Sequence, residues 1–142
     1  MSIVYSTGAI ENAAANAATS VWIKVLNLSE NSDLNVVAKV FKLNGQKAEL
    51  ATSSFTVFPN SSDFDVFDII DILQYEVQVE VSNQSNALVT IWGKDANANL
   101  LAAQRFVQNE LSIISNSTNS QKNYKPTAKK TSRSTNRRTV RR

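Results

Sequence analysis

The side chains available for chemistry in this 142-residue chain are carboxylates, hydroxyls, amides and cations, because it contains no Cys and no His. That removes thiol nucleophiles, Ser-His-Asp triads, disulfide frameworks, zinc fingers and imidazole metal sites. The densest carboxylate cluster is Asp63, Asp65, Asp68 and Asp71. A calcium site needs several hard oxygens converging on one ion. On a strand, Asp63 and Asp65 share one face, and Asp68 and Asp71 diverge unless the chain bends. The run reads as a solvated strand face and loop whose charge also guards an edge. Asp95, Asn97 and Asn99 open like a calcium-binding loop, but Leu100 stands where that motif needs Gly and Phe106 where it needs Glu. This stretch reads as a turn between two strands. The three Gly stand isolated at positions 8, 45 and 93, so no phosphate-cradling loop exists. So small a body leaves little room for the cleft that an opposed carboxylate pair requires. The expectation is a protein that is not an enzyme and has no cofactor or metal.

The cations are distributed differently. Residues 1–121 hold six basic side chains and all 12 acidic ones, a net −6. Residues 122–142 hold Lys122, Lys125, Lys129, Lys130, Arg133, Arg137, Arg138, Arg141 and Arg142 with no acid, a net +9. These nine are the candidate polyanion-binding residues, driven by counterion release. Tyr124 is the single aromatic residue among them, so base stacking is not a theme of the tail. From Ser115 the composition turns to Ser, Thr, Asn, Lys and Arg. Such a segment buries too little apolar surface to offset about 1–2 kcal/mol of backbone entropy per ordered residue. Residues 115–142 therefore read as a disordered basic C-terminal tail.

The elements that must position the remaining residues read as strands. Turn signals recur at Ser29–Asp33, Asn44-Gly45, Pro59–Ser62, Ser82–Asn86 and Asp95–Asn99, with β-branched and aromatic runs between them. Tyr75, Val77, Val79 and Val81 alternate with Glu76, Gln78 and Glu80, which predicts a half-buried strand with its odd positions inward. Val21, Ile23 and Val25 share one face opposite Trp22 and Lys24. Val36, Ala38 and Val40 repeat the pattern opposite Lys39. Phe55 and Val57 flank Thr56, and Phe64 and Val66 alternate with Asp63, Asp65 and Asp68. Ala87–Trp92 and Leu101–Val107 complete the set. Trp22 and Trp92 read as core or sheet-face packing, or as a contact surface if exposed. The Ala-rich stretch Glu11–Ala18 is the best helix candidate, and a marginal one.

Seven or eight short strands predict an all-β fold, an antiparallel β-sandwich of immunoglobulin-like type, with a small closed barrel as the alternative. Residues 1–19 form an N-terminal arm or first strand, 20–114 the sandwich body and 115–142 the tail. No apolar run approaches the about 18 residues of a membrane span, and Met1–Tyr5 lacks the basic region and long apolar stretch of a secretory signal.

Several motifs, Tyr5-Ser6-Thr7-Gly8, Asn12–Ala17, Lys24–Leu28, Gln74–Val77, Gly93–Asn97 and Arg105–Val107, resemble small proteins of spore-forming Bacillus-like bacteria. The resemblance covers about residues 1–114 and offers no catalytic residues to carry over. It implies a β-sandwich and a structural role at a cell or spore surface.

The sequence thus supports a non-enzymatic structural protein, a homo-oligomer that self-associates through strands and docks to an anionic partner by its tail. The alternative is a nucleic-acid-binding or shell protein whose tail contacts phosphates. A sugar- or metal-binding sandwich using Asp63–Asp71 is a third class.

Overall fold

The computed structural model describes residues 2–83 and 86–116. Ten strands follow in order: β1 (Ile3–Ser6), β2 (Ile10–Glu11), β3 (Ser20–Asn27), β4 (Leu34–Leu43), β5 (Lys47–Val57), β6 (Ser61–Asp68), β7 (Gln74–Val81), β8 (Ala87–Lys94), β9 (Leu100–Phe106) and β10 (Ser112–Asn116). They form two antiparallel sheets. One is six-stranded, ordered β10-β1-β7-β4-β5 with β2 also paired to β7; the other is four-stranded, ordered β6-β3-β8-β9. The fold is all-β, as the alternation predicts. The strand count exceeds the expected seven or eight because β2 and β10 are too short to leave a period-two signature. No helix among the described residues is long and apolar enough to cross a membrane.

The core comes from the inward positions of both sheets. Tyr75, Val77, Val79 and Val81 on β7 are fully buried, as their alternation requires. Val36, Ala38 and Val40 on β4 lie beside them in register. Val21, Ile23 and Val25 on β3 and Val89 and Ile91 on β8 supply the facing layer. Fully burying one such side chain contributes about 1.5–3 kcal/mol, so these inward rows dominate the stability. Residues 1–19 contribute directly: β1 is an internal strand between β7 and β10, and Ile3, Tyr5 and Ile10 are buried.

Buried amides close both ends of the sandwich. Asn12 donates to Ala18 O (3.0 Å) and Ile72 O (2.9 Å). Its Oδ1 accepts from Ala18 N (2.8 Å) and Gln104 Nε2 (2.8 Å). Gln104 Oε1 in turn accepts from the Tyr75 hydroxyl at 2.6 Å, and burial pushes that hydroxyl well above the ordinary tyrosine range. The stretch 11–18 is therefore not the marginal helix its alanines suggest. The Asn12 side chain satisfies the backbone non-helically, a competition Asn wins readily. At the other end Asn27 Nδ2 donates to Ser32 O (2.8 Å) and Val57 O (3.0 Å).

β10 runs through Asn116, two residues past the expected end of the body at Ile114. Residues 117–142, and with them most of the expected disordered tail, lie outside the described residues.

Candidate functional site

The outer face of the four-stranded sheet is built by the residues that β3, β6 and β8 turn away from the core. On β3 these are Trp22, Lys24 and Leu26, because Val21, Ile23 and Val25 are inward. Register then places Trp22 between Val66 and Trp92, and Trp92 beside Arg105. Lys24 lies between Phe64 and Thr90 in the next row, and Leu26 beside Leu88 in the one after. The result is an aromatic and aliphatic surface interleaved with cations.

The rings and charges are stacked. Trp22 and Phe64 lie 5.4 Å apart between centroids at an interplanar angle of 19°. Lys94 Nζ sits 3.7 Å from the Trp22 centroid, Lys24 Nζ 5.3 Å from that of Phe64, and the Arg105 guanidinium 5.2 Å from that of Trp92. Such contacts contribute about 0.5–1 kcal/mol each at exposed sites. Among the described residues none of these three cations makes a salt bridge. Trp22, Lys24, Trp92, Lys94 and Leu100 line an open depression of about 310 Å³. Phe64 remains 48% exposed and Leu88 44%.

The opposite face differs. On the six-stranded sheet Lys47 Nζ meets Glu76 Oε1 at 2.7 Å while lying over the Phe41 ring, and Lys39 faces Glu49 at 3.8 Å. Burial works to raise the Glu76 pKa. Hydrogen bonds from Lys47, Ser6 and Gln78, with the Lys47 charge, outweigh it and hold the carboxyl below the usual glutamate range.

The residues singled out in the sequence fare unevenly. Asp95 caps the β8–β9 turn as expected: its Oδ1 accepts from Asn97 N (2.9 Å) and Asn99 N (2.8 Å). The backbone N–H of Asn99 is the main cause holding its carboxyl below the usual aspartate range.

The run Asp63–Asp71 follows the expected solvated strand face and loop: Asp63, Asp68 and Asp71 are exposed and Asp65 is half-buried. Asp63 and Asp65 lie opposite the inward residues Val25 and Ile23, and Asp65 accepts a hydrogen bond from Ser53 on β5 across the open edge. Phe64 and Val66 turn outward instead. β6 is an edge strand, and inward charge there blocks pairing with another chain. Asp68 accepts from Ile70 N at 3.1 Å and Asp71 adopts a left-handed turn, φ 63°. No group of three or more Asp or Glu converges on a metal-sized point among the described residues. Lys122, Lys125, Lys129, Lys130, Arg133, Arg137, Arg138, Arg141 and Arg142 all lie outside the described residues.

Sequence reasoning missed the convergence of Trp22, Trp92, Phe64 and their cations. The available signal was Trp22 and Lys24 opposite a fully apolar β3 face, which places both away from the core. Comparison with protein-family models, with curated proteins and with solved structures found no match.

Proposed function

We propose that this protein is a non-enzymatic binding protein for an anionic polymer, nucleic acid foremost, engaged by the outer face of the four-stranded sheet and by the basic residues of 122–142. One observation carries the sheet's part: Lys24, Lys94 and Arg105 rest on aromatic rings instead of carboxylates. A ring attracts a cation without neutralising it, so the face, which also carries the exposed Asp68 in register with Ser20 and Lys94, keeps a net positive charge on a body of net −6. The nine cations of the tail add a long-range, salt-sensitive attraction. Anisotropy titration of a labelled oligonucleotide with the full chain tests the proposal. Affinity should fall linearly with salt on logarithmic axes, and the variant Lys24→Gln/Lys94→Gln/Arg105→Gln should bind more weakly with a shallower slope. Absence of binding at low salt would refute it.

A structural role by self-association is the second reading, and the edges of the sheets favour one site for it. β6 carries inward Asp63 and Asp65, β5 carries Lys47 and Glu49, and β9 carries Arg105. β10, Ser112–Asn116, is an edge without charge; Ile113 is 53% exposed and Ile114, at its bulge, 51%. An uncharged edge pairs with a second copy without like-charge repulsion. Such a homo-oligomer would suit a structural protein of a cell or spore surface. Sedimentation of Ile114→Lys should give a smaller species than the unaltered chain; identical sizes would exclude β10 pairing.

A further inference from the structure

We infer that the outer face of the four-stranded sheet takes single-stranded nucleic acid, with bases stacked on Trp22, Trp92 and Phe64 and phosphates met by Lys24, Lys94 and Arg105. This rests on the polyanion reading above and adds the class of polymer and its mode of contact. A polymer with charge alone, such as polyphosphate or an acidic peptide, needs only cations to hold it. Here every cation of the face is set on an aromatic ring, and the rings are spread across adjacent strands β6, β3 and β8. Only a ligand that offers both flat rings and negative charge uses the two together.

The geometry fits that ligand. The register row Val66–Trp22–Trp92–Arg105 crosses all four strands. At a strand spacing of about 4.8 Å it spans roughly 14 Å, and aromatic side chains on a four-stranded sheet stack about two or three bases. The Lys94 ammonium, 3.7 Å from the Trp22 centroid, stands where a stacked base would lie. Its flexible stem allows it to move from the ring to a neighbouring phosphate as a base takes its place. The depression of about 310 Å³ between Trp22, Trp92 and Leu100 gives the base a floor and walls. Duplex DNA already stacks its bases internally and offers this face phosphates only, so the single strand is the preferred form.

The chain's two Trp residues both lie on this face, which makes intrinsic fluorescence a direct reporter of it. The full chain would be titrated with oligothymidylate, a duplex of equal length, inorganic polyphosphate and polyglutamate. Oligothymidylate should quench the fluorescence saturably, and the other three should bind more weakly with little quenching. Trp92→Leu should weaken oligothymidylate binding about tenfold with an unchanged salt slope, while Trp92→Phe keeps most of the affinity. Lys94→Gln should reduce the slope by about 0.7, one phosphate contact on a single strand. If Trp92→Leu fails to fold, the Trp92→Phe and Lys94→Gln variants still decide through quenching and slope. Equal binding of polyphosphate, polyglutamate or duplex, with both face variants unaffected, would overturn stacking here and leave the tail as the polyanion site. No binding by any polymer would overturn both readings.

Discussion

On the outer face of the six-stranded sheet, Lys47 and Lys39 each meet a glutamate, at 2.7 and 3.8 Å. On the outer face of the four-stranded sheet, Lys94, Lys24 and Arg105 each lie over a ring. For the exposed Lys39–Glu49 pair the stability differs little from that of a ring contact: an exposed ion pair contributes about 0–1 kcal/mol and an exposed cation–π contact about 0.5–1 kcal/mol, while Lys47 meets a Glu76 that is largely buried. The two arrangements also differ in the field they leave behind. A carboxylate cancels its partner's charge at any distance beyond a few ångströms, whereas a ring leaves the charge whole. What matters for an anion is the second difference, the availability of the charge.

Charge reversal gives the largest expected separation between them. Lys24→Glu/Lys94→Glu should weaken oligonucleotide binding at low salt on the order of a hundredfold, through lost contacts and new repulsion. Lys39→Glu/Lys47→Glu, an equal change of net charge placed on the six-stranded sheet, should change it by less than about threefold, since those cations lie away from the aromatic face. Equal losses measured by anisotropy would erase the distinction.

The next effects lie beneath the faces, where each sheet meets the core. Behind Trp92, a Cβ on Gly93 would stand 2.8 Å from Gln104 Oε1, 3.0 Å from Gln104 Cβ and 3.3 Å from Ala18 Cβ. Gln104 is tied to Tyr75 and Asn12 and cannot step aside freely. Gly93→Ala should cost about 2–3 kcal/mol in thermal unfolding, an overpacking effect. An unchanged melting temperature would mean Gln104 is not so held.

On the six-stranded sheet, Val79→Ala should cost about 1–2 kcal/mol, because Val79 is fully buried. Its neighbour Glu80 faces outward and accepts a hydrogen bond from Ser2 Oγ at 2.8 Å. Glu80→Ala should cost under about 0.5 kcal/mol. Equal effects in denaturant titration would reverse the assignment of inner and outer faces.

The smallest effect is in acid. Glu76 has a folded-state pKa below its unfolded value. Its contribution is full above the usual glutamate range and is lost as pH falls through the lowered value. The Asp95 turn has the same sign. Melting temperatures should therefore fall on acidification, and less so in Glu76→Gln. The cations of the four-stranded sheet have rings as partners and, among the described residues, no salt bridge to lose in acid. An equal acid response in Glu76→Gln and the unaltered chain would remove Glu76 as a source of the difference.

Much of this organisation is written locally in the chain. The alternation of Tyr75–Val81 names its four inward side chains, because successive residues of a strand point to opposite faces and only one face is dry. The same logic sends Trp22 and Lys24 outward from β3 and makes the six-stranded sheet's β4 apolar on one side. The division between a net −6 body and a net +9 tail is likewise readable from composition. Alternation fails at β6, where Asp63, Phe64, Asp65 and Val66 alternate cleanly but with the apolar pair outward. Position at the sheet edge decides that inversion: Asp63 and Asp65 sit at an open margin where Asp65 reaches Ser53, and Phe64 gains Trp22 as a neighbour. Most of all, period two says which face a residue takes and nothing about which strand lies beside it. Trp22 and Trp92 become cross-strand neighbours only because β3 pairs with β8 rather than with β4, its successor in the chain. That choice is made by the packing of whole sheets against one another, a non-local free energy that no window of the sequence contains.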